Sequence, residues 1–128
     1  MFIIIGGAYQ GKMEYASAVT KVPLKHFRDG STIDEESIFG AQAIFDFHRY
    51  VRRFLLDKSE AELDGFAKKL YEENPELVLI TDEIGYGIVP LEKEERRYRE
   101  AVGRVCTDLC RRADRVDRVV CGIGMRLK

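Results

Sequence analysis

The sequence contains no tryptophan, two histidines, three prolines and three cysteines. Each scarcity narrows the field. Cys106, Cys110 and Cys121 are odd in number and lack framework spacing, which argues against a disulfide scaffold. Cys106 and Cys110 stand four apart, on one helix face, but have no His or Cys nearby to complete a zinc set. The spacing predicts buried, reduced thiols and a reducing, cytoplasmic setting. Charge of one sign is also lacking. The formal net charge of −1 supplies no bulk attraction for nucleic acid or an anionic membrane, so no nucleic-acid partner is expected. No apolar run approaches the roughly 20 residues of a membrane span. The opening run Phe2–Ile5 is too short for a signal-peptide core and has no basic leader.

What is present is ordinary globular material. The 128 residues are 45% hydrophobic and 34% charged, enough for one domain (residues 1–128) with a real core. Phe2–Ile5 is a β-branched and aromatic run, as in a strand buried on both faces. Gly6-Gly7-Ala8-Tyr9-Gln10-Gly11-Lys12 follows, and Lys12–Thr20 reads as a helix. Strand, glycine-rich turn and helix in this order outline a phosphate-binding loop. Backbone N–H groups of such a loop converge on an anion, at the positive end of the helix dipole. Lys12 would neutralise terminal phosphates. The next position usually carries a magnesium-binding hydroxyl, and here it is Met13. The plain alternative is a tight glycine turn with a solvated lysine.

Further along, the pattern predicts a short strand over Val22–Phe27 and a short helix over Ile33–Phe39 capped from Thr32. It then predicts a strand over Ala41–Asp46 and helices over Phe47–Leu56 and Glu60–Asn74, the second capped by Ser59. Leu77–Thr81 reads as a strand, Glu92–Ala113 as a long charged helix and Val116–Cys121 as a last strand. Gly122–Met125 reads as a turn out of it. This alternation predicts an α/β fold whose mainly parallel sheet carries helices on both faces. Ligands in such sheets bind beyond the carboxyl ends of the strands, where Gly6–Lys12, Asp46 and Asp82-Glu83 all fall.

Asp46 is therefore a candidate Mg²⁺ or nucleotide residue, or else a helix N-cap. Asp82 and Glu83 are candidates to polarise an acceptor hydroxyl or hold metal-bound water, or are loop acids. Gly85-x-Gly87 in the loop 84–90 allows a close backbone approach to a ligand, or merely a bend. His48 reads as a packing or surface residue. Arg49, Arg52 and Arg53 read as a solvated basic face or an anion or subunit contact.

The stretch Leu77–Pro90 (LVLITDEIGYGIVP), with Arg97–Val105 (RYREAVGRV), Ala113–Val116 (ADRV) and Gly122–Lys128 (GIGMRLK), resembles the bifunctional adenosylcobinamide kinase/adenosylcobinamide-phosphate guanylyltransferase family. Gly6–Lys12 is similar to that family's glycine-rich loop, and Ile44–Val51 to its second acidic motif, which aligns Asp46 with the family's acid. The resemblance implies a three-layer, RecA-like P-loop NTPase fold, often assembled as a homotrimer. It implies transfer of the γ-phosphate of GTP or ATP to the aminopropanol hydroxyl of a corrinoid, with Mg²⁺ held by Asp46. The nucleotide would contact Gly6, Gly7, Ala8, Tyr9, Gln10, Gly11, Lys12 and Met13, with Lys12, Asp46 and Glu83 as the catalytic set. A second family activity attaches GMP to a histidine, for which His26 is the nearest counterpart here. The chain is shorter than the family between the loop helix and the Asp46 strand, and Asp82 stands where the family has Asn. With Met13, these departures leave a second class of reading: a non-catalytic relative that binds nucleotide or corrinoid to regulate or scaffold.

Overall fold

A computed structural model describes residues 1–84 and 92–128. The loop expected to approach a ligand, from Gly85 to Pro90, lies outside the described residues. The strands are β1 (Phe2–Gly6), β2 (Phe27–Asp29), β3 (Ala43–Phe45), β4 (Val78–Asp82), β5 (Arg115–Val120) and β6 (Ile123–Arg126). The helices are α1 (Lys12–Thr20), α2 (Phe47–Asp57), α3 (Glu60–Glu73) and α4 (Lys93–Arg112). Among the described residues these strands form one sheet in the order β2-β3-β4-β1-β5-β6. The first five are mutually parallel, and β6 closes the edge antiparallel to β5.

The alternation of side chains along each strand sorts them onto two faces. Ile3, Ile44, Leu79 and Val116 join one core with α2, α3 and α4, whose contributions include Val51, Leu70 and Val105. Ile4, Ala43, Val78, Ile80 and Val119 form the other core with Ala16 of α1, and Met13 and Tyr15 pack against it. Helices thus cover both faces, as the strand–helix alternation predicts. Phe66 of α3 holds an aromatic cluster together, with ring centroids 5.7 Å from Phe39, 5.2 Å from Tyr50 and 5.3 Å from Phe54. Ser59 caps α3 as expected, its Oγ accepting from the Glu62 N–H at 3.1 Å.

Four local expectations need correction. Val22–Phe27 is not a strand: Pro23 precedes a 3₁₀ turn at Leu24–His26, and β2 begins only at Phe27. Ile33–Phe39 is not a helix; only Ser37–Gly40 winds as 3₁₀, and Asp34 rather than Thr32 binds the backbone there, accepting from the Ser37 N–H at 2.7 Å. Gly122–Met125 does not simply turn away. A two-residue turn with φ of 50° at Cys121 and 76° at Gly122 returns the chain as β6. Finally, Cys106 and Cys110 lie half-buried against the core, whereas Cys121 is exposed in that turn.

Candidate functional site

The site forms where β1, β3 and β4 end side by side. The register pairs Gly6 of β1 with Asp82 of β4, and β4 lies between β1 and β3, whose end carries Asp46. Three segments far apart in sequence thereby converge by strand order alone.

Gly6 must be glycine, because a Cβ there would come within 2.5 Å of the Val119 carbonyl oxygen on β5. Gly11, at φ 83°, is the left-handed N-cap of α1, a conformation that strains any residue with a Cβ. The loop is also tied to the β5–β6 turn. Gln10 accepts from the Gly122 N–H through its backbone oxygen at 2.8 Å and from the Cys121 N–H through Oε1 at 2.6 Å. Tyr9 projects fully into solvent from the loop. Met13 is half-buried and packs towards the α1 face of the sheet, and it occupies the chain position where the usual loop carries a hydroxyl residue.

Lys12 is 8% exposed. Its ammonium donates to the Gly7 carbonyl at 2.6 Å and pairs with Asp82 Oδ1 at 2.7 Å. A cavity of about 310 Å³ opens beside it, lined by the loop and by Asp46, Arg49 and Asp82. Asp46 occupies the N-cap position of α2 but makes no side-chain cap bond. Its backbone is left-handed at φ 54°, uncommon for a non-glycine residue and costly unless braced. The brace is local. The Gly30 N–H donates to the Phe45 carbonyl at 2.8 Å, and Arg53 holds the Gly30 and Ile33 carbonyls at 2.9 Å each. Gly30 also lies so close that a Cβ would meet the Asp46 carbonyl at 2.5 Å. The Asp46 carboxylate stays at the cavity, with Arg49 Nε 3.4 Å away.

His48 enters this group unannounced by the sequence. It is 8% exposed and stands on the first turn of α2. The backbone N–H of Asp82 donates to its Nδ1 at 3.2 Å, so that nitrogen carries the lone pair and Nε2 carries the proton. Burial pulls the imidazole below its usual range, while the Asp82 and Asp46 carboxylates push the other way. Asp46, His48 and Asp82 each present a ligand-type atom within 4.8 Å of the others. The two carboxylates are hard oxygen donors that suit Mg²⁺. The protonated Nε2 does not suit a cation, nor does the Met13 sulfur.

Two candidates are not members of this cluster, although Glu83 lines the neighbouring cavity with His48 and Asp82. Glu83 is held on the β5 side by Arg118, at 2.7 Å and 3.1 Å. His26 is exposed at the start of β2, at the opposite end of the sheet, with Nδ1 2.7 Å from Gln42 Oε1. The structure brings together Gly6–Met13, Asp46, His48 and Asp82; it does not bring His26 to them.

A glycine-gated loop between β1 and α1, a buried lysine at its end and two acids at neighbouring strand ends define a P-loop nucleotide-binding fold. The sequence profile described as cobinamide kinase / cobinamide phosphate guanyltransferase matches residues 33–127, well over half of the chain. The chain belongs to that family. It is 46% identical over 52 residues to the bifunctional adenosylcobalamin biosynthesis protein CobU of Salmonella typhimurium, covering 41% of this chain and 29% of that one. It is 34% identical over 83 residues to the bifunctional adenosylcobalamin biosynthesis protein CobP of Pseudomonas aeruginosa, covering 62% of this chain and 48% of that one. The chain therefore matches less than half the length of either relative. No helix among the described residues is long and apolar enough to cross a membrane.

Proposed function

We propose that this chain is a phosphotransferase of cobalamin biosynthesis that moves the γ-phosphate of GTP or ATP to the aminopropanol hydroxyl of adenosylcobinamide. The observation that carries the reading is the convergence of Lys12, Asp46 and Asp82 beside the loop, in a chain of this family. The backbone from Gly6 to Met13 would cradle the phosphates. Lys12 would exchange its bond to Asp82 for the terminal phosphate and stabilise the charge that develops there. Asp46 and Asp82 would hold Mg²⁺, which when bound neutralises phosphate charge. Asp82, freed from Lys12, would stand with the metal beside the acceptor hydroxyl. Glu83, tied to Arg118, would steady this strand end rather than meet the substrate. The protein would work in the cytoplasm as one domain, as a homotrimer.

A second reading has its own support. Met13 removes the hydroxyl that normally helps hold the metal, which favours a relative that binds nucleotide without turnover. Phosphotransfer from labelled GTP or ATP to adenosylcobinamide separates the two. Turnover above a Lys12→Ala control supports the kinase. Nucleotide binding by calorimetry that ignores Mg²⁺, with no turnover, supports the non-catalytic relative. The guanylyl branch has a direct check, mass spectrometry for GMP on His26; its distance from the phosphate loop predicts no adduct.

A further inference from the structure

Tyr9 combines two properties that a residue seldom carries together without a ligand. Its backbone is left-handed at φ 58°, a conformation that glycine adopts freely and a bulky residue does not. Its ring stands wholly in solvent, at 103% exposure, so no packing among the described residues offsets the strain. The residues around it are held. Gln10 accepts twice from the β5–β6 turn, from the Gly122 N–H at 2.8 Å and from the Cys121 N–H at 2.6 Å. The Gly7 carbonyl accepts from the Lys12 ammonium at 2.6 Å. The loop therefore presents the ring from a braced backbone.

Position supplies the direction. In the sheet order β4-β1-β5, the loop that leaves β1 has β4 on one side and β5 on the other. Lys12 reaches the β4 side, where it meets Asp82. Gln10 reaches the β5 side, where it meets the turn. Terminal phosphates drawn to Lys12 would take the first side, and the nucleoside end of the same ligand would run back along the loop. Tyr9 borders that space, since it lines the cavity of about 310 Å³ together with Lys12 and Asp46. The face of an aromatic ring is electronegative and does not attract phosphate oxygens. A nucleobase, by contrast, has a π-face to lay against it.

We infer that the Tyr9 side chain is a stacking platform for the base of the bound nucleoside triphosphate. This rests on the nucleotide-binding reading above, which the kinase and the non-catalytic relative share, and it adds the residue that holds the base. The loop backbone would hold the phosphates and Tyr9 the other end of the ligand. Stacking depends on the π-face and not on the donors and acceptors at the base edge. Tyr9 therefore strengthens binding of a purine triphosphate without choosing between ATP and GTP. Its hydroxyl is not needed, and its role is in binding, not in the chemical step. Glycine at this position would relax the backbone and lose the platform, the exchange expected of a residue kept for a ligand.

Calorimetry with ATP, GTP and tripolyphosphate, at one Mg²⁺ concentration, compares wild type with Tyr9→Phe, Tyr9→Ala and Tyr9→Gly. Tyr9→Ala is expected to weaken ATP and GTP by about tenfold each, the scale for a base that loses an aromatic partner. Tyr9→Phe should stay within about twofold of wild type, and tripolyphosphate within about twofold in every variant. Tyr9→Gly should weaken both nucleotides as Tyr9→Ala does, while its urea midpoint equals or exceeds that of wild type, because strain is released and no packing is lost. A marked fall in that midpoint would show that the ring packs on the protein and would overturn the inference. Unchanged nucleotide affinity in Tyr9→Ala overturns it too. So does an equal fall for tripolyphosphate, which would mean that the ring acts through loop shape. A fall confined to adenosylcobinamide would place the ring on the acceptor and also overturn it. The chain has no tryptophan, so Tyr9→Trp installs a single indole at the site. ATP or GTP, and not tripolyphosphate, is expected to shield that indole from acrylamide quenching; no shielding by either nucleotide counts against the platform. If wild type binds neither nucleotide nor tripolyphosphate, the reading of the loop falls and takes the platform with it. If nucleotide binds and none of these changes alters it, the platform alone falls.

Discussion

Lys12 Nζ lies 2.7 Å from Asp82 Oδ1, and the lysine side chain is 9% exposed against 24% for the aspartate. The pair joins the first turn of α1 to the end of β4, and it is the same contact that a bound phosphate would have to break. Removing the acid leaves a buried ammonium with the Gly7 carbonyl as its partner among the described residues. Asp82→Ala is therefore expected to lower unfolding free energy by about 2–3 kcal/mol, between the limits for exposed and fully buried pairs. Urea titration checks this. Adding a nucleoside triphosphate should return part of the loss, because phosphate oxygens replace the missing carboxylate and binding stabilises the folded state by mass action. Equal losses with and without nucleotide would show that Lys12 does not reach the phosphate.

Gly6→Ala tests the loop from the other side. The added Cβ would meet the Val119 carbonyl at 2.5 Å, and that neighbour is backbone in the centre of the sheet, not a side chain that can turn away. Either β1 separates from β5 or the loop entry shifts. Both outcomes displace the amides that would face the phosphates. Nucleotide affinity is expected to fall by about a hundredfold or more, the scale of several misplaced charge-assisted bonds. Gly40→Ala, with nothing within 4 Å of the new carbon, serves as the silent control.

The thiols give a prediction in pH. Burial pushes Cys106 up to about 12 from an ordinary value of 9.0. Thiolate is the reactive form, so iodoacetamide at pH 8 should modify exposed Cys121 and leave Cys106 untouched until the protein unfolds. The sign for stability follows. Folded Cys106 keeps a proton that the unfolded chain releases above pH 9, so its stabilising effect is intact below 9 and is lost as pH rises towards about 12. Cys106→Ala should flatten that alkaline fall in a series of chemical denaturation curves.

How much of this was readable in the residues themselves depends on range. Phe2–Gly6, the loop and α1 are contiguous, so their strand, turn and helix signals reinforce one another and the expectation holds. Ser59 needs only a backbone N–H three residues on, and it caps as expected. His48 is different. Its role is set by Asp82, thirty-four residues later, through the adjacency of β3 and β4. A histidine on an amphipathic helix carries no local mark of that. β6 was hidden for a related reason. Gly122 and Gly124 read as turn residues, yet Gly124 is glycine because a Cβ would strike the Tyr15 ring on α1 at 2.0 Å. The same need for close approach can shape a turn or a strand edge, and sequence alone does not separate them. β2 and β3 are three residues each, too short to show a period, and their limits come from pairing with each other.

The aromatic cluster predicts where stability is concentrated. Phe66 is 6% exposed and touches rings from the 3₁₀ turn and from α2, so it fastens three elements at once. Phe66→Ala is expected to cost about 3–5 kcal/mol, the transfer loss plus a cavity its neighbours cannot fill. Phe66→Leu should cost much less, since most of the volume remains. Thermal and urea unfolding measure both. Helix α1, which follows the phosphate loop, packs on the other core, so nucleotide affinity should change little in either variant while it stays folded.

Met13→Ser restores to the loop the hydroxyl that a P-loop uses for Mg²⁺. The natural side chain packs against the α1 face with Ala16 and Val119 nearby in the same core, so the change carries a packing loss of about 1–2 kcal/mol for a half-buried methionine. The gain is chemical. Asp46 and Asp82 supply oxygen donors across the cavity, and the serine would add one from the nucleotide side. If wild-type binding of nucleoside triphosphate is nearly indifferent to Mg²⁺, the variant should acquire a dependence of about tenfold or more between chelator and millimolar metal. Calorimetry in the two conditions measures it, with stability followed in parallel to separate packing from coordination. A strong Mg²⁺ dependence already present in wild type would place the metal on Asp46 and Asp82 without help from the loop. Asp46→Asn, rather than Met13→Ser, would then be the change that alters it.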